Sequence, residues 1–231
     1  AVVFQRPDGS FRYFADGAGH GGGDDEDAAI AYLPLTAYSL RALQLLRSLG
    51  HPVPPPVLEA AGEHMDEQIS DLTGLWLESD DDEAGDATAK RAANTAGPDD
   101  LTRAALALGS GIQADADTLD VLWAAWPRLP TAGRLALTRA LAGASDARAG
   151  QAVDRLLKTA SRRGDARRLV PDADDGADGG RWMHSDLSAQ CELIAVLRAH
   201  PALGDAALRR SLVSGLTDLY AGGAAAVDTF T

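Results

Sequence analysis

The sequence predicts an all-α protein built from antiparallel helical hairpins. Three observations carry this. Hydrophobic residues make up 45% of the chain while aromatics make up only 5%. The apolar content is mostly Ala and Leu, small side chains and good helix formers that favour close helix packing over sheets. Apolar residues recur at helical spacing in about eight segments, and Gly- and Pro-containing turns separate them, as they do between antiparallel neighbours. A solenoid and a ring of hairpins both suit this pattern. At 231 residues the chain is long enough to bury a sizeable core as a single domain, 1–231.

In chain order, Phe4–Phe14 comes first. Asp8-Gly9 is a turn signal beside Phe11, Tyr13 and Phe14, and a short hairpin or an aromatic-anchored loop both fit. The Gly- and Asp-rich stretch near 15–28 is a loop. Leu33–Leu49 is a helix, with Pro34 in its first turn. On a helical wheel Leu35, Tyr38, Ala42, Leu45, Leu46 and Leu49 form one apolar arc, taken as the face against neighbouring helices. Leu40 and Leu43 fall outside it. Gly50 and Pro52 stop the helix, and Pro54-Pro55-Pro56 launches a second helix from Val57 towards Leu77. Residues 78–100 form an acidic loop with some helix in its middle. Asp99 or Asp100 caps a helix over Leu101–Leu108.

Asp117-Thr118 opens a helix that carries Trp123 and Trp126 as packing residues. Thr131 caps Leu135–Leu141, and Ala147–Ala160 follows. The loop near 161–181 is first basic (Arg162, Arg163, Arg167, Arg168), then acidic (Asp172, Asp174, Asp175, Asp178). Ser185 or Asp186 caps Leu187–Ala199. After Pro201 comes Leu203–Tyr220, striped by Leu208, Leu212, Leu216 and Leu219. Arg209 falls within that arc and must snorkel or pair.

Charge and motifs exclude several functions. A net charge of −13 argues against nucleic acid and against an anionic membrane surface, and no apolar run reaches the length of a membrane span. Direct membrane insertion is therefore not expected. One cysteine, Cys191, permits no internal disulfide. With Leu187 and Ile194 on its flank it reads as a small buried core thiol. His20, His51, His64, His184 and His200 are scattered without metal-ligand spacing. Asp80-Asp81-Asp82-Glu83 lacks the spacing of a calcium loop. Gly21-Gly22-Gly23 runs into Asp24 and Asp25, which would repel a phosphate. No catalytic, cofactor-binding or metal-binding residue is assigned, and no cofactor is expected.

An ordered set of residues carries a resemblance. Gln5-x-x-Asp8-Gly9-Ser10-Phe11-x-Tyr13-Phe14, Leu35-Thr36-Ala37-Tyr38-x-Leu40-x-Ala42-Leu43 and Gly50-His51-Pro52-Val53-Pro54 resemble the thioester domain of bacterial alpha-2-macroglobulins. Trp182-Met183-His184-Ser185, His200-Pro201 and then Leu216, Tyr220 and Gly222 extend the match over most of the chain. The resemblance implies an α/α toroid, here incomplete at both ends. It also implies a periplasmic or cell-envelope setting and a protease-trapping, endopeptidase-inhibitor role. The partners would be proteases and neighbouring domains of a parent protein. The family's Cys-x-Glu-Gln thioester motif is absent; it would precede Ala1, and the abrupt start reads as a cut from a longer chain. Gln190-Cys191-Glu192-Leu193 is not that motif. The family pattern after the last glycines is also weak, since Ala224-Ala225-Ala226-Val227 stands there. The resemblance therefore implies an interaction module and not an enzyme. The rival is an α/α-toroid enzyme resembling a class II terpene cyclase. Asp172-Ala173-Asp174-Asp175 matches its Asp-x-Asp-Asp pattern, with Asp174 as the general acid.

Overall fold

A computed structural model describes residues 4–11, 33–77, 86–113, 115–170 and 185–221. Among them the chain is all-α apart from one small two-stranded sheet. It divides into two compact units, Ala1–Leu129 and Pro130–Thr231.

The first unit holds α1 (Leu33–Ser48), α2 (Pro55–Leu77), α3 (Asp86–Thr95), α4 (Pro98–Gly109) and α5 (Ala116–Ala124), then a 3-10 turn at Trp126–Arg128. α1 packs on α2 and α4, α2 on α3 and α4, and α3 on α5. Leu33, Leu40, Met65, Leu101, Leu108 and Leu122 are fully buried. The stop of α1 is the one its sequence calls for. Gly50 N–H donates to Arg47 C=O and His51 N–H to Leu46 C=O, both at 3.0 Å, with Gly50 at φ +84°.

Of three helix boundaries expected in this unit, one, the cap of α4, is corrected. The helix expected in the middle of the acidic stretch is α3, over residues 86–95. Its C-terminal carbonyls are capped from outside: the Arg128 guanidinium donates to Ala93 C=O and Ala96 C=O, placing a cation at the negative end of the helix dipole. α4 starts at Pro98 with Gly97 at its N-cap and no side-chain cap; Asp99 and Asp100 lie in its first turn, where they favour the dipole. α5 opens at Ala116, within a residue of the expected Asp117-Thr118, and its cap is Asp115, which accepts from Thr118 N–H at 2.7 Å.

The second unit holds α6 (Thr131–Gly143), α7 (Arg148–Lys158), β1 (Ser161–Arg163), β2 (Ala166–Arg168), α8 (Asp186–Ala199), a 3-10 turn at Pro201–Leu203 and α9 (Ala206–Ala221). α6 packs on α7 and α8, α8 on α9, and α9 against β2. Thr131 is the first residue of α6 and does not cap it; Pro130 stands at the N-cap position. Ser185 caps α8 as expected, in a reciprocal box with Ser188. On α9, Leu212 and Leu219 are buried and Leu208 and Leu216 half-buried. Arg209 resolves its place in that stripe by donating to Gly204 C=O at 2.6 Å. The start of the loop near 161–181 is an antiparallel hairpin, pairing Ser161 with Arg168, Arg162 with Arg167 and Arg163 with Ala166. Gly164, at φ +60°, is the first residue of its two-residue turn, the place where a tight hairpin turn accepts glycine best.

Candidate functional site

The first site is a clasp at the start of the chain. Gln5 and Phe11 form an isolated antiparallel bridge, closed by Arg6 N–H to Ser10 C=O at 2.8 Å. Asp8 Oδ1 accepts from Ser10 N–H at 3.0 Å and from Ser10 Oγ at 2.7 Å. The clasp is pinned to two helices. Gln5 Nε2 donates to Val57 C=O of α2 at 2.9 Å, and Phe11 N–H donates to Thr36 Oγ1 of α1 at 2.9 Å. Gly9 completes it. A Cβ there would lie 1.9 Å from Ala60 O, and its φ of +86° also favours glycine. Partial burial pushes the Asp8 carboxyl up, but the Ser10 hydrogen bonds and the charges of His64 and Arg6 outweigh it and hold its pKa below the ordinary value. His64, on α2, is buried, and its Nε2 has no hydrogen-bond partner.

This clasp fixes which way α1 faces, and it reverses the expected face. Thr36 is fully buried because Phe11 needs its hydroxyl, and Leu33, Ala37 and Leu40 turn inward with it. The arc read as the packing face turns outward. Tyr38 is 53% exposed, Leu45 60% and Leu49 66%, with Ala42 and Leu46 also exposed between them. These residues follow one another at spacings of three and four and make a continuous apolar ridge along the helix. Arg47 is exposed near its end, and α1 carries no acidic residue.

The second site is built round Gln190, a fully buried amide in the middle of α8. Its Oε1 accepts from Leu169 N–H at 2.9 Å; its Nε2 donates to Arg167 C=O at 2.9 Å and Leu212 C=O at 2.7 Å. One side chain thus ties β2, α8 and α9 together. Gly215 of α9 makes this approach possible, since a Cβ there would lie 1.9 Å from Arg167 O. Arg168 is held to Asp186, at the start of α8, by an ion pair of 2.9 Å.

Other sequence candidates are dispersed. Cys191 is exposed, against the expectation of a core thiol. The buried side of α8 runs through Ala189, Gln190, Leu193, Val196 and Leu197, which turns position 191 outward. Burial by its neighbours raises the pKa of the Cys191 thiol, opposite to the shift that activates a nucleophile. Trp126 is buried and Trp123 half-buried, with ring centroids 5.5 Å apart and tilted by 60°, a packing pair as expected. His51 is exposed and His200 half-buried. Among the described residues no group of three or more His, Cys, Asp or Glu is placed to hold a metal ion, and no helix is long and apolar enough to cross a membrane. His20, His184, Asp24, Asp25, Asp80–Glu83, Asp172, Asp174, Asp175 and Trp182 lie outside the described residues.

Sequence reasoning missed the outward ridge of α1, Gln190 and the hairpin. The signal for Gln190 was available: a glutamine three residues after Leu187 and three before Leu193 lies within an apolar stripe. The fold and these sites define a helical protein with an uncovered apolar ridge on α1. Comparison with protein-family models, with curated proteins and with solved structures finds no match.

Proposed function

We propose that this chain is a non-catalytic interaction module, part of the thioester-type domain of a bacterial alpha-2-macroglobulin-like envelope protein that traps proteases. The observation that carries the interaction role is the ridge of Tyr38, Ala42, Leu45, Leu46 and Leu49, apolar side chains left in water along one helix. A continuous apolar ridge is a surface that a partner covers. On this reading the partner is a neighbouring domain of the parent protein, and the hairpins continue as spokes of an α/α toroid.

The family assignment is supported by what its signature residues do. Gln5, Asp8, Gly9 and Ser10 bond to one another, and Phe11 bonds to Thr36. The residues that carry the resemblance are thus joined by contacts that pin the start of the chain to α1 and α2. Where the parent protein carries a Cys-x-Glu-Gln thioester, the chemistry of trapping belongs to that motif and not to this chain. The test has three arms. The coding sequence ahead of Ala1 should encode the neighbouring macroglobulin-type domains. Added separately, such a domain should bind this chain and lose binding when Leu45 and Leu49 are both changed to Glu. Mass spectrometry after incubation with methylamine or a protease should show no covalent adduct on this chain. An adduct at Cys191, or turnover of a substrate, would sink the proposal.

A further inference from the structure

The two edges of the small sheet differ. With Gly164-Asp165 as a two-residue turn, Arg163 and Ala166 are the closing hydrogen-bonded pair and Arg162 and Arg167 the non-hydrogen-bonded pair. The backbone groups of Arg162 and Arg167 therefore point away from the hairpin, one pair to each side. On the β2 side the carbonyl is covered: Arg167 C=O is taken by Gln190 and lies against Gly215. On the β1 side all three residues are exposed, and among the described residues nothing bonds the N–H or C=O of Arg162.

The same segment concentrates positive charge in an acidic protein. Lys158 to Arg168 holds Lys158, Arg162, Arg163, Arg167 and Arg168 against Asp165 alone, in a chain of net charge −13. Arg168 has its partner in Asp186. Arg162 and Arg163 are exposed, and among the described residues neither has an ion-pair partner. Arg162 stands directly opposite Arg167, and like charges at facing positions of a sheet are destabilising. A single charge is enough to protect an open edge from aggregation. A facing arginine pair beside a third arginine exceeds that need and suits an anionic occupant.

We propose that the outer edge of β1 docks an extended, carboxylate-rich polypeptide segment by strand addition. The segment's backbone pairs with the N–H and C=O of Arg162, and its carboxylates meet Arg162 and Arg163 on the two faces of the sheet. Three residues of strand span about 10 Å, enough to seat a short peptide. Nucleic acid fits less well. It has no use for an open backbone N–H and C=O pair, and the acidic remainder of the chain repels a long polyanion.

The experiment is fluorescence anisotropy with the whole chain at low salt, using a short labelled peptide of alternating Glu and Val. Saturable binding is expected. Exchanging both arginines, Arg162→Glu and Arg163→Glu, should weaken it about tenfold or more, with helicity unchanged and the melting temperature not lowered, since a glutamate at position 162 would face Arg167. The same peptide N-methylated at alternate residues keeps its charge but cannot add as a strand, and should lose binding. Equal binding of the methylated peptide, tighter binding of a single-stranded oligonucleotide, or no effect of the double exchange would each overturn the proposal.

Discussion

The side-chain amide of Gln190 sits beside Leu169 as the peptide group of a third strand would. It accepts the Leu169 N–H at 2.9 Å and donates to the Arg167 carbonyl at 2.9 Å. β2 is thereby paired on both sides although the sheet has only two strands. Gln190→Met keeps the length and bulk of the side chain and removes both of these bonds together with the third, to Leu212 C=O. Leu169 N–H and Arg167 C=O would then be left without their partner in a buried place, at about 1–3 kcal/mol for each group. Urea unfolding of this variant should show a loss of about 3 kcal/mol. A loss near zero would mean that water replaces the amide.

Gly215 gives a second, steric test of the same junction. In most helices Gly→Ala gains up to about 1 kcal/mol from propensity. At Gly215 the new methyl would lie 1.9 Å from Arg167 O, so α9 must move off the strand. Gly215→Ala is expected to destabilise by about 2 kcal/mol, in the range of overpacked sites. Gly150 in α7 is the control, because nothing lies within 4 Å of its Cβ position. Gly150→Ala should raise the melting temperature while Gly215→Ala lowers it.

The helices were legible where local chemistry decides them. Gly50 at the end of α1, Ser185 at the start of α8 and the leucine stripe of α9 all stand where the sequence predicts. Side-chain facing was not legible for α1, because that helix is apolar almost all round and its wheel favours the wrong side. The deciding contact is Thr36 Oγ1 with Phe11 N–H, between residues 25 apart in the chain. The hairpin was hidden for a related reason. Ser161-Arg162-Arg163 and Ala166-Arg167-Arg168 hold no β-branched or aromatic residue, and β2 is held from outside by Gln190 and Gly215. Cys191 was misplaced because its apolar neighbours Leu187 and Ile194 are only half-buried flanks of the true core face.

The reversed face of α1 makes a direct comparison of two leucines possible. Leu40 is 1% exposed and Leu45 60%. Leu40→Ala should cost about 2–5 kcal/mol through lost burial and a cavity. Leu45→Glu should change stability by no more than about 0.5 kcal/mol, as at other surface positions. Denaturant unfolding of the two variants decides it. If Leu45→Glu unfolds the chain and Leu40→Ala does not, the face first read from the helical wheel is the packed one.

Ser145 sets a third kind of strain. It lies in the left-handed region at φ +56°, and the end of α6 is closed around it by Ser145 N–H to Ala142 C=O at 3.1 Å and Asp146 N–H to Leu141 C=O at 2.9 Å. That is the glycine position of a helix stop, filled by a residue with a Cβ. Ser145→Gly should stabilise by about 0.5–1 kcal/mol, and a melting temperature that falls would show that the serine side chain has a role of its own.

Acid should open the clasp at the start of the chain. The folded-state pKa of Asp8 is lowered: burial alone would raise it, but the Ser10 hydrogen bonds and the charges of His64 and Arg6 prevail. A carboxyl with a lowered folded pKa contributes stability above its unfolded value, and loses it as pH falls through the folded value. The Asp8 contribution is thus complete at neutral pH and drains away below about pH 4. Asp8→Asn removes the charge at every pH. It should lower stability at pH 7 and leave a shallower decline on acidification, while the difference from the unmodified chain closes at the acid end. Melting curves taken from neutral to acid pH read this directly. A gap that stays constant with pH would mean that Asp8 acts through its hydrogen-bond geometry with Ser10 alone, and that its charge contributes nothing to holding Gln5–Phe11 against α1 and α2.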